Sequence, residues 1–269
     1  MEREANETER PGNRPKTAFT WLSIALATVA QVWPAITFAA PVVFEASGSS
    51  PEDIRAAFKD FGDYFGGKNN GVNGGSFQDG HREINWDGVP DAFAAPNILP
   101  ANFFNKNSAR GVVFFTPGSG FQVSANQGVA PIEFDNLRPD ASGKFATFSR
   151  QRLFTALASP ITEVLFFVPG TAQAATTKGF GAVFTHVEHD DGAKIEYFDV
   201  NGRLLYSGFA PPAEGSETLS FLAVAFDDGE QVFLVRITSG DVELGGNNRG
   251  GRDLVVMDDF IYGEPQPLP

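Results

Sequence analysis

Leu219-Ser220-Phe221-Leu222-Ala223-Val224-Ala225-Phe226 decides the fold. Both faces of this run are apolar apart from Ser220, the mark of a strand covered on both sides in the middle of a sheet. Upstream, Phe180-Gly181-Ala182-Val183-Phe184 sets its two rings on one face, because side chains alternate along a strand. Asn201-Gly202 separates two further apolar runs. Both residues tolerate positive φ, so a tight hairpin turn is predicted there. Working outward, residues 110–116, 121–125, 144–149, 162–168, 178–188, 194–199, 203–209, 217–226, 230–238 and 253–262 read as short strands between Gly, Pro, Asn and Asp breaks. No repeat of fixed period is visible. Regular strands with one helical stretch predict an all-β chain, a β-sandwich of jelly-roll type with one N-terminal helix.

That helix starts at Ser50-Pro51-Glu52-Asp53. Ser50 is the cap, Pro51 suits the first helical position, and the carboxylates face the positive end of the dipole. Ile54, Ala57, Phe58, Phe61 and Phe65 form one apolar stripe, and Gly66-Gly67 stops it. Residues 68–75 are rich in Asn and Gly and read as a flexible loop. The helix is expected as a lid on one end or edge of the sheets. The expected division is 1–40 signal peptide, 41–76 helix and loop, 77–263 sandwich and 264–269 Pro-rich tail.

The signal rests on order. Arg3, Arg10, Arg14 and Lys16 precede the charge-free apolar stretch 17–40, which ends in small residues at Ala39-Ala40. Gln31 and Pro34 weaken the alternative, a spanning anchor. The expected product is secreted, periplasmic or held at the cell surface. With no cysteine, it has no lipidation site, disulfide, thiol nucleophile or thiolate metal site. Four acidic and four basic residues cancel within the first sixteen, so the net charge of −13 belongs to the exported part. That charge opposes binding to nucleic acid or to an anionic membrane surface, and it suits cations and neutral sugars. A core without disulfides has to hold by packing, which accounts for 27 phenylalanines.

Several stretches resemble an uncharacterised group of exported bacterial proteins, some of which carry a C-terminal sorting tail. They are Arg82-Glu83-Ile84-Asn85-Trp86-Asp87-Gly88-Val89-Pro90-Asp91, Gly179-Phe180-Gly181-Ala182-Val183-Phe184-Thr185, Val235-Arg236-Ile237-Thr238-Ser239-Gly240 and Val255-Val256-Met257-Asp258-Asp259-Phe260-Ile261-Tyr262-Gly263. The resemblance implies export and a β-sandwich, and it implies no activity. The sequence given ends at Glu264-Pro265-Gln266-Pro267-Leu268-Pro269 without an apolar anchor, so release is expected. Asp258-Asp259-Phe260-Ile261 is also similar to the last strand of jelly-roll carbohydrate-binding modules, where an acidic residue commonly holds a structural calcium.

Asp258 and Asp259 sit side by side on a strand, so they are expected on opposite faces, one of them inward. A buried carboxylate needs a partner or a metal. Calcium takes six to eight oxygens, and the possible companions are Glu83, Asp87 and Asp91, of which Glu83 and Asp87 are expected. The alternative is turn capping, or pairing with Arg236 or Arg252. In His186-Val187-Glu188-His189-Asp190-Asp191 the His spacing is wrong for a zincin helix. The cluster reads as a solvated strand end. Thr116-Pro117-Gly118-Ser119-Gly120 lacks the spacing of a nucleophile elbow and reads as a hairpin turn. No catalytic residue is singled out. Trp86, Tyr197, Tyr206 and Tyr262 are candidates for stacking on a sugar ring. The expected function is an exported, non-catalytic binding module for a glycan, with room for one structural calcium. A secreted hydrolase of polysaccharide or ester, or a structural envelope or matrix protein, stays open.

Overall fold

A hairpin folded over on itself organises the chain. The computed structural model describes residues 40–227, 229–245 and 253–268. At the centre, β9 (Ala193–Phe198) turns through Asn201-Gly202 into β10 (Leu204–Phe209) and pairs with it. Outside that pair, β8 (Gly179–Thr185) pairs with β11 (Leu219–Ala225). Next, β6 (Ile161–Phe166) pairs with β12 (Leu234–Ser239). Outermost, β5 (Phe154–Leu157) meets β13 (Val256–Gly263). The pairs fall alternately into two antiparallel sheets.

The larger sheet runs β1-β11-β8-β13-β5-β4, with β1 (Val42–Gly48) and β4 (Gly120–Val123) at its edges. A short β2 (His81–Ile84) also pairs with β13. The smaller sheet runs β10-β9-β12-β6-β3, with β3 (Val112–Phe115) at its edge. Between them lies the main core, in which Phe154, Phe180, Phe184 and Phe260 of one sheet meet Phe114, Phe166, Ile195 and Val235 of the other. The 219–226 run is the double-faced strand its sequence predicts. Leu222 and Val224 face this core, while Phe221, Ala223 and Ala225 face the opposite layer.

That opposite layer is α1 (Pro51–Tyr64). The Ser50 N–H and hydroxyl both donate to Asp53 Oδ2 at 2.9 Å, holding its first turn. Ile54, Phe58 and Phe61 pack on Val183, Phe221 and Ile261. The helix therefore covers the outer face of the larger sheet, not an end or an edge, because β8, β11 and β13 carry apolar residues on both faces. A second helix, α2 (Phe103–Lys106), is one turn long.

Four local expectations differ from the structure. Residues 144–149 form no ladder. Two of their N–H groups go to side chains instead, with Ala146 N–H donating to Thr185 Oγ1 (2.8 Å) and Phe148 N–H to Asp258 Oδ2 (2.6 Å). Thr116 to Gly120 links the two sheets and is not a hairpin turn, since β3 pairs with β6 and β4 with β5. The 68–75 loop is pinned. Fully buried Arg82 donates to the carbonyls of Gly71, Asn73 and Gly75, at 2.8–3.0 Å. The same guanidinium forks onto Glu264 at 2.9 and 2.7 Å. The segment 264–268 is accordingly built in, with β14 (Gln266–Pro267) pairing with β7 (Ala175–Thr176).

Candidate functional site

A bulge in β13 builds the site. Met257 lies opposite Phe184 and Phe260 opposite Ala182, so three steps along β13 span two along β8. The extra residue breaks the alternation. Met257 and Phe260 both face the main core, and the two aspartates between them turn to the same, outer side. The expectation of opposite faces fails for this reason. Ser149 Oγ donates to Asp259 Oδ1 at 2.7 Å and lies 3.4 Å from Asp258 Oδ1.

Asp258 is fully buried and Asp259 nearly so. Burial, and then the neighbouring Asp259 charge, push the Asp258 carboxyl well above the usual carboxylate range. Burial also raises Asp259, to about 7. Its bonds to Asp258 and Ser149 oppose that rise, while Glu83 and Asp87 add to it. The two carboxyls titrate as a pair, and burial favours a proton shared between them. Glu83 joins the same surroundings because β2 sets it opposite Ile261, two residues beyond Asp259. Asp87 arrives on the turn after β2, where its Oδ1 accepts the Arg152 N–H at 3.2 Å. The four expected ligands Glu83, Asp87, Asp258 and Asp259 are thus electrostatic neighbours. Their oxygens do not form a tight group like that of His186, Glu188 and Asp253, whose ligand atoms all lie within 4.8 Å. Arg236 is not a partner of the pair. It binds Glu163 on the smaller sheet, at 2.6 Å.

Asp259 and Glu83 line a cleft of about 460 Å³ between α1, residues 148–149 and the β2–β13 edge. Its apolar wall is Phe58 and Phe148, with ring centroids 4.9 Å apart. Its polar rim includes Asn69 and His81, and the His81 Nε2 to Glu83 Oε1 distance is 2.9 Å.

The expected stacking rings lie elsewhere. Trp86, Tyr197 and Tyr262 are fully buried. Trp86 stacks on Phe154 at 4.1 Å and donates from Nε1 to the Asp258 carbonyl at 2.8 Å. Tyr197 and Tyr262 donate to the carbonyls of Phe180 and Arg110, at 2.9 and 2.8 Å. These three rings are core, with their polar tips satisfied, and offer no face to a ligand. Tyr206 is half-buried against Tyr197. The half-buried Phe148 was missed because its segment resembles a strand in sequence. Only the tertiary fold shows it crossing the outer face.

No protein-family model matches the sequence, and no curated protein matches it.

Proposed function

We propose that the protein is an exported, non-catalytic binding module for carbohydrate, and that the cleft beside Asp259 is where the glycan sits. One observation carries this reading. The cleft sets an aromatic wall, Phe58 and Phe148, against carboxylate acceptors, Asp259 and Glu83. A sugar offers the matching pair of surfaces, an apolar C–H face and a ring of hydroxyl donors. The nested strand pairing supports the jelly-roll form of the sandwich. Export rests on the basic, apolar, small order of residues 1–40, of which 1–39 lie outside the described residues. Among the described residues, no helix is long and apolar enough to cross a membrane.

A structural calcium belongs to the same reading. A divalent ion on Asp258 and Asp259 would replace the proton they share. The spread of Glu83 and Asp87 means that backbone carbonyls would supply the remaining oxygens.

A hydrolase is the second reading. Asp259, held near neutrality in a cleft, has the protonation range of a general acid or base at pH 7. One set of assays separates the two. A glycan array on the protein and on Phe148→Ala is expected to show binding that the variant loses. A blank array together with turnover of a glycoside or ester that Asp259→Asn abolishes would reverse the order.

A further inference from the structure

A second group of ligating side chains lies where β8 ends, away from the cleft. His186 follows the last residue of β8 with a left-handed backbone, φ 66°. Its ring is buried, with 6% of the side chain exposed. Nδ1 lies 3.1 Å from the Leu254 carbonyl, an acceptor, so Nδ1 is the donor there and Nε2 is the nitrogen left to ligate a metal. Nε2 has no hydrogen-bond partner among the described residues. Its nearest charged neighbour is Glu188 Oε2, at 3.8 Å.

Asp253 completes the group from the far end of the sequence. It is buried at 2% exposure. Among the described residues, its carboxylate accepts long bonds, all 3.3 Å, from the N–H groups of Glu188 and His189. Asp241 Oδ1 in turn accepts the Asp253 N–H at 2.8 Å. Gly192 leaves room for the carboxylate, since a Cβ there would lie 1.8 Å from Asp253 Oδ2. One imidazole nitrogen and two carboxylate oxygens therefore converge, their ligand atoms all within 4.8 Å of one another. Three acceptors facing one another call for a cation.

We propose that His186 Nε2, Glu188 and Asp253 bind one divalent transition-metal ion of the zinc type, with water at the remaining position. Zinc takes such nitrogen and oxygen donors at about 2.1 Å, which sets tetrahedral ligand atoms about 3.4 Å apart. Exposed Glu188 is free to close the remaining distance. The Leu254 carbonyl orients the imidazole as second-sphere acceptors do in metal sites. A ring-nitrogen donor and only three side-chain ligands disfavour calcium and magnesium. The strand end is therefore not merely solvated. The residue missing from its sequence pattern is Asp253, 65 residues beyond Glu188 in the chain.

The test is calorimetry on chelator-stripped full-length protein with Zn²⁺ and Co²⁺, with Ca²⁺ as the control. The expected result is one zinc per chain at this site, and Co²⁺ giving visible absorption of a low-coordinate complex. His186→Ala is expected to weaken zinc at least tenfold. Glu188→Gln, at an exposed position that packing does not need, is expected to weaken it similarly, and it keeps the test open if the His186 variant does not fold. His81→Ala, a histidine outside this group, is expected to leave zinc affinity unchanged. Absence of zinc uptake, or uptake that Glu188→Gln leaves intact, overturns the site. So does loss of binding in His81→Ala. The measurement is independent of glycan binding, so neither proposal falls with the other.

Discussion

Replacing Asp259 by Asn removes a charge from the bulge while keeping its shape, and the consequence depends on pH. The Asp259 carboxyl rises from its ordinary 3.8 to about 7 in the fold. A group raised in this way gives stability that is fully present below its unfolded pKa. That stability is lost as pH climbs from about 4 to about 7 and is flat above, because the folded state holds a proton that the unfolded chain has released. The rise is about three pKa units. At about 1.4 kcal/mol per unit, the upper bound is roughly 4 kcal/mol lost between pH 4 and pH 8. Sharing of one proton with Asp258 spreads this over the pair. Buried Asp258 and Asp253, also raised by desolvation, act in the same direction. Urea unfolding in EDTA at several pH values reads the effect. Wild type is expected to become less stable across the window, and Asp259→Asn to show a flatter profile and higher stability at pH 8. With millimolar Ca²⁺ at pH 8 the wild type is expected to recover and the variant not to respond. Parallel profiles, or a wild type that gains stability from pH 5 to pH 8, would refute the shared proton.

Arg82→Met leaves Glu264 buried without its partner and releases three loop carbonyls. A loss of about 3–5 kcal/mol is expected by urea unfolding, with new protease cleavage in residues 68–75. In a Trp21→Phe, Trp33→Phe background, Trp86 emission is expected to be blue-shifted and poorly quenched by acrylamide, with no response to glycan. Ready quenching would contradict its burial against Phe154. Gly192→Ala places a methyl in the space of the Asp253 carboxylate. A destabilisation of about 1–3 kcal/mol is expected, seen as a lowered melting temperature, and an unchanged one would show that the carboxylate moves freely.

Local pattern alone determined most of the strands, though not β1, β2 or β5, together with the capped helix and the Asn201-Gly202 turn, because alternation, capping chemistry and φ tolerance act between near neighbours. It also marked 219–226 as covered on both faces, although not by what. It grouped Glu83 and Asp87 with Asp258 and Asp259 as chemistry in search of a partner. The tertiary structure decided where those groups point. A single inserted residue in β13 moved both aspartates to one face, and the period of two that underlies a sequence reading has no term for it. Trp86, Tyr197 and Tyr262 look like ligand rings in one dimension, because amphipathic aromatics serve a core and a surface equally well. Only the two sheets closing over them settled the choice. Asp253 meets His186 because β13 pairs with β8, with Val256 opposite Thr185. The folded hairpin brings together residues far apart in the chain, and no spacing rule reaches that far.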